Sequence, residues 1–182
     1  IKRCKENTVT HLLSINTKPQ DFINHLNLIK AYNNIYISYG IHPQEINNES
    51  YLSPIEIEKN IQNLKLIALG ETGLDFYHSI KYKKKQIEVF EAHIEASKIF
   101  DLPIIIHQRK SEDAIINVLN QYKNDNLKIV FHCFTGSIKL LNYCLENNYY
   151  ISLSGIVTFK NADILREVIK KASLDHLLIE TD

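Results

Sequence analysis

The chain has 182 residues, 45% hydrophobic and 23% charged, with 21 basic and 21 acidic side chains and a formal net charge of zero. That balance excludes a disordered chain, and no apolar run is long enough to cross a membrane as a helix. Zero net charge gives no whole-chain field to draw in a nucleic acid, while leaving a local basic patch open.

Cys4, Cys133 and Cys144 form no paired spacing, which argues against a disulfide framework and for a reducing, cytoplasmic setting. The chain begins at Ile1, contains no Met and has no signal-peptide pattern at Ile1–Glu6. The expectation is a piece of a longer protein, with one incomplete domain over residues 1–182.

The elements follow in order. Val9–Ile15 reads as a strand, and Pro19–Lys30 as a helix with Phe22, Ile23, Leu26 and Ile29 at helical spacing. Ile35–Gly40 is a β-branched and aromatic strand closed by Ile41-His42-Pro43. Ser53 caps a helix that Pro54 opens and that runs to Leu64, with Ile57, Ile61 and Leu64 inward. Leu66–Glu71 is the third strand. Lys81–Ile99 is a long helix with Ile87, Phe90 and Ile94 on one face. Strand Pro103–His107 precedes a helix capped by Ser111, and strand Lys128–His132 precedes one opened by Gly136-Ser137. Strand Tyr149–Ser154, a helix over Asn161–Lys171 with Ile164, Leu165, Val168 and Ile169 inward, and strand His176–Glu180 close the series.

Strands that are runs rather than alternations are covered on both faces, which predicts a parallel α/β sheet. No GxGxxG or GxxxxGK[ST] follows the first strand, which weighs against a nucleotide-binding sheet. Seven strand–helix units predict a (β/α)8 TIM barrel lacking its first strand and last helix.

In such barrels the reacting groups stand at the carboxyl ends of strands. Glu71, His107, His132 and Asp182 each close a strand, and His42 follows one. Two imidazoles and two carboxylates converging on one mouth suit a hard-to-borderline divalent cation. Taken singly, each reads as a hydrogen-bonded structural residue. Together, left without a metal or a network, they would be costly.

The blocks Gly40-Ile41-His42-Pro43, Gly70-Glu71-Thr72-Gly73-Leu74-Asp75, Ile106-His107-Gln108-Arg109, His132-Cys133-Phe134-Thr135-Gly136, Ser154-Gly155-Ile156-Val157-Thr158-Phe159-Lys160 and Ile179-Glu180-Thr181-Asp182 resemble the TatD family of metal-dependent deoxyribonucleases. The resemblance implies two divalent cations, Mg, Mn or Zn. Glu71 would join both, His107 and His132 would complete the ligand set of the second ion, and Asp182 would bind the first ion and act as general base. Asp75 would support the Glu71 loop.

His42, Arg109 and Lys160 become substrate-binding candidates, Arg109 through a planar fork suited to phosphate. Lys81–Lys85, with Tyr77 and His78 just before it, is a candidate basic, aromatic rim. The implied partner is DNA, as single strands or ends, acted on by a monomer away from membranes. The family's His-x-His pair on the first strand does not occur in this chain. The expectation is therefore one weakly held metal or none, and impaired activity. Competing readings are a barrel hydrolase of amides, lactones or other phosphoesters, and an inactive binding fragment. His11, His25, His93 and His176 read as structural.

Overall fold

The computed structural model describes residues 1–77 and 79–182, so His78 lies outside the described residues. The seven apolar runs form β1 (Leu12–Ser14), β2 (Ile35–Tyr39), β3 (Leu66–Asp75), β4 (Ile104–Arg109), β5 (Ile129–Phe131), β6 (Tyr150–Leu153) and β7 (Leu177–Ile179). All pair in parallel, and their order in the sheet is their order in the chain. The sheet curls into the part-barrel expected of these units, with β1 and β7 at its two edges.

The helices are α1 (Lys2–Glu6), α2 (Phe22–Ile29), α3 (Pro54–Ile61), α4 (Lys83–Phe100), α5 (Glu112–Asn120), α6 (Ile138–Glu146) and α7 (Asp163–Ile169). Ser53 caps α3 through Glu56 N–H, and Ser137 caps α6 through Leu140 N–H. Helix α1 was not anticipated. It buries no residue and has no apolar stripe to announce it. Two apolar clusters join the sheet to its helices. One gathers Phe90, Ile94, Ile104, Ile106, Phe131 and Leu140, the other Phe22, Ile37, Tyr39, Ile57 and Leu69.

Three departures from the sequence reading have physical causes. Leu64 is 90% exposed because α3 stops at Ile61 and Leu64 falls in the turn that follows. Ile164 is 83% exposed, on the helix that precedes edge strand β7. Most consequentially, β3 does not end at Glu71. It runs on to Asp75, with its register against β4 shifting between Leu69 and Thr72. A bulge of this kind re-aims a side chain without ending the strand. Gly70 (φ 121°) and Gly73 (φ 127°) supply backbone angles that other residues rarely adopt.

Helix α4 carries buried polar side chains, Gln86, His93 and Ser97, at the spacing of its core positions. His93 Nδ1–H donates to the Val89 carbonyl (2.7 Å), and its Nε2 accepts from Ile41 N–H (3.2 Å). The neutral ring is thus fully used, and burial lowers its pKa to about 4. The unfolded chain, with an ordinary pKa of 6.5, takes up the proton first. Stability should therefore fall as pH drops from 6.5 towards 4, with up to about 3 kcal/mol due to this one group. Urea titrations across that range should show His93→Gln losing less stability than the parent. Equal losses in the two chains would remove His93 as the cause.

Candidate metal centre

The C-terminal ends of β2 to β7 meet at a cleft of about 550 Å³ lined by His42, Glu71, His107, His132 and Asp182. Glu71, aimed by the β3 bulge, is at its centre and 8% exposed. One oxygen, Oε1, lies 2.6 Å from His132 Nε2, 2.9 Å from His107 Nδ1 and 3.2 Å from His42 Nε2. Burial alone would raise the Glu71 carboxyl pKa. The three imidazoles outweigh it and hold the group well below the usual carboxylate range.

Two of these imidazoles are backed by carboxylates on their far nitrogens. His107 Nε2 lies 3.2 Å from Asp75 Oδ2, and His132 Nδ1 lies 3.4 Å from Glu180 Oε2. A proton on each far nitrogen leaves the near nitrogen's lone pair for a cation, the usual carboxylate–histidine–metal arrangement. Burial works against charging His132, but Glu180 and Glu71 together push its pKa up to about 10, so its near nitrogen also carries a proton towards Glu71 that a bound cation would displace. Asp75 is itself fixed by Gln44 Nε2 (2.7 Å) and Tyr77 N–H (2.9 Å). Gln86 clasps its backbone, accepting from Asp75 N–H (3.0 Å) and donating to Asp75 O (3.2 Å) and Pro43 O (3.3 Å).

His42 differs. It caps the short turn Pro43–Glu45, and its Nδ1 accepts from Gln44 N–H at 3.1 Å. Its Nε2 therefore carries the proton in the neutral ring and acts as a donor. His42, Glu71 and His107 do offer ligand atoms within 4.8 Å of one another. Proton placement nevertheless leaves His107 and His132, not His42, as the nitrogen ligands. With Glu71 they form a mixed nitrogen and oxygen set that fits one divalent cation.

Asp182 lines the same cleft, where its Oδ2 accepts from Cys133 Sγ (3.5 Å). Arg109 is on the rim, its guanidinium 4.0 Å from the Tyr77 ring centroid. Lys160 is exposed and lies outside the residues lining the cleft. Burial pushes the thiol of Cys133, beside His132, up to about 12, which disfavours its thiolate.

Glu180 and Gln86 went unassigned in the sequence. Glu180 sits in the same Glu-Thr-Asp stretch as Asp182, and only the geometry reveals that it faces His132. Gln86 did leave a signal, a polar residue four positions before buried Phe90. Glu180→Gln should weaken metal binding about 10–100-fold, as read by calorimetric titration. An unchanged affinity would deny Glu180 its orienting role.

Imidazoles gathered on a carboxylate at the C-terminal mouth of a parallel α/β barrel define a metal-dependent hydrolase. The family model described as TatD related DNase matches residues 1–182. The chain belongs to that family. It is 37% identical over 190 residues to an uncharacterized metal-dependent hydrolase of Buchnera aphidicola, covering 100% of this chain and 71% of the relative. It is 34% identical to the metal-dependent hydrolase YabD of Bacillus subtilis, with the same coverage. The structure of the TatD homologue YJJV of Escherichia coli superposes with a TM-score of 0.89 at 27% identity, covering 100% of this chain and 70% of that one.

Proposed function

We propose that the protein hydrolyses phosphodiester bonds in DNA, using a divalent cation held by Glu71, His107 and His132. The observation that carries this reading is the anionic Glu71 beneath two imidazoles that are each backed by a carboxylate, with His42 and Arg109 beside them as donors. A bound divalent cation would lower the pKa of a water and draw charge from a phosphoryl oxygen.

The chain's own groups do the rest. Asp75 and Glu180 keep the far-nitrogen protons on His107 and His132 and fix their rings. His42 Nε2–H donates to a substrate oxygen. Arg109 offers two parallel N–H bonds to a phosphate. Asp182, on the cleft wall, is the carboxylate available to take a proton from an attacking water. A hydrolase of amides or lactones would need no phosphate-directed cation at the rim, which favours the phosphodiester reading.

The test is turnover of a labelled single-stranded oligonucleotide by protein loaded with Mg, Mn or Zn, with bound metal measured by mass spectrometry. Metal-replete protein that opens amides or lactones but leaves every phosphodiester intact would overturn the reading.

A further inference from the structure

A second cleft of about 710 Å³ lies against the metal cleft. The two share Gln108, Arg109 and Thr135, so they form one continuous trough around the end of β4. The second cleft is lined by Phe76, Tyr77, Lys83, Arg109 and Lys110, and by the start of α5. Lys83 Nζ sits 4.9 Å from the Phe76 ring centroid, and the Arg109 guanidinium 4.0 Å from that of Tyr77.

Two carboxylates also line it, and both are engaged. Glu112 accepts from Ser137 N–H (2.7 Å) and Ser137 Oγ (2.6 Å), while Asp113 accepts from Lys139 Nζ (2.6 Å). Three cations, two of them set against aromatic rings, thus outnumber the two carboxylates that line the trough. Lys110 holds φ 55°, a left-handed angle at which Gly or Asn is the easier residue.

Cations alternating with rings suit a polyanion that carries flat heterocycles. Phosphates meet the Lys and Arg heads, and bases stack on rings or on a guanidinium plane. We infer that this second cleft is a flanking nucleotide subsite. It holds the phosphate and base of a single-stranded segment next to the bond presented to Glu71. This rests on the phosphodiesterase reading and adds to it the path of the strand. Contacts of this kind read no base edge, so the subsite is sequence-tolerant.

The test uses the metal-loaded protein and a fluorescein-labelled, phosphorothioate single-stranded oligonucleotide, with affinity followed by anisotropy over a salt series. Lys83→Gln with Lys110→Asn, the latter chosen to tolerate the left-handed angle, should weaken binding at low salt at least about tenfold. It should also flatten the plot of log affinity against log salt by about 1.4, or roughly 0.7 per lost phosphate contact. Neutralising Lys59 and Lys170, on α3 and at the end of α7, should leave that slope unchanged. A parental slope in the Lys83/Lys110 variant, with the parent binding DNA, would overturn the subsite and leave the phosphodiesterase reading standing. A parent that neither binds nor cleaves any oligonucleotide would overturn both.

Discussion

Glu71→Gln should strip the protein of its metal and reduce hydrolysis by more than roughly 100-fold, with the circular-dichroism spectrum unchanged. Loss of a carboxylate behind a ligand usually costs about 10–100-fold, and Glu71 is the central oxygen ligand itself. Glutamine keeps the shape but removes the charge on which His42, His107 and His132 converge at 2.6 to 3.2 Å. Its amide also turns either a weak neutral oxygen or a competing N–H towards those rings. The residue stands on a strand buried along almost its whole length, so its local frame should persist. Metal content by mass spectrometry and turnover on an oligonucleotide are the readouts. Near-parental turnover would take Glu71 out of the chemistry.

Gly73→Ala is expected to destabilise the fold by at least about 3 kcal/mol, a large share of the roughly 5–15 kcal/mol of a typical domain. Gly73 holds φ 127°, and a Cβ there would lie 2.2 Å from the His107 carbonyl oxygen and 3.1 Å from its carbonyl carbon. Both obstacles are backbone atoms of β4, so neither can swing aside as a side chain would. Gly73 is also paired with His107 in the sheet, so relief of the clash displaces a metal ligand. Metal affinity should fall along with stability, as followed by calorimetric titration and urea unfolding. Gly155→Ala is the contrast: nothing lies within 4 Å of a Cβ at that position. A Gly73→Ala change within about 0.5 kcal/mol of the parent would refute the close-approach argument.

Strand count, parallel pairing and the strand-end histidines were legible because each rests on local pattern. Apolar runs mark two-sided burial, and polar residues at their ends mark the mouth. Glu71 was visible as a residue but not as a geometry. Its bulge depends on how β3 registers against β4, a relation between segments far apart in the chain. The same limit hid Glu180 and the distinct role of His42. A histidine's proton placement follows from its partners, here Gln44 N–H and Glu180, which periodicity does not reveal. His93, read as structural, does pack inside α4, yet its Nε2 also holds Ile41, the residue before His42.

The sheet order, identical to the chain order, bears on how the protein is made. Each strand finds its partner one connection later, with no need to wait for a distant segment. Pairing of successive strands keeps each loop that must close short, which lowers the entropy cost of assembling the sheet. The imidazoles reach Glu71 in the same sequence: His42 is synthesised before it, and His107 and then His132 after it. Glu71 thus draws its neighbours from both sides of its own strand, and the mouth is complete only once β5 has brought His132 to it.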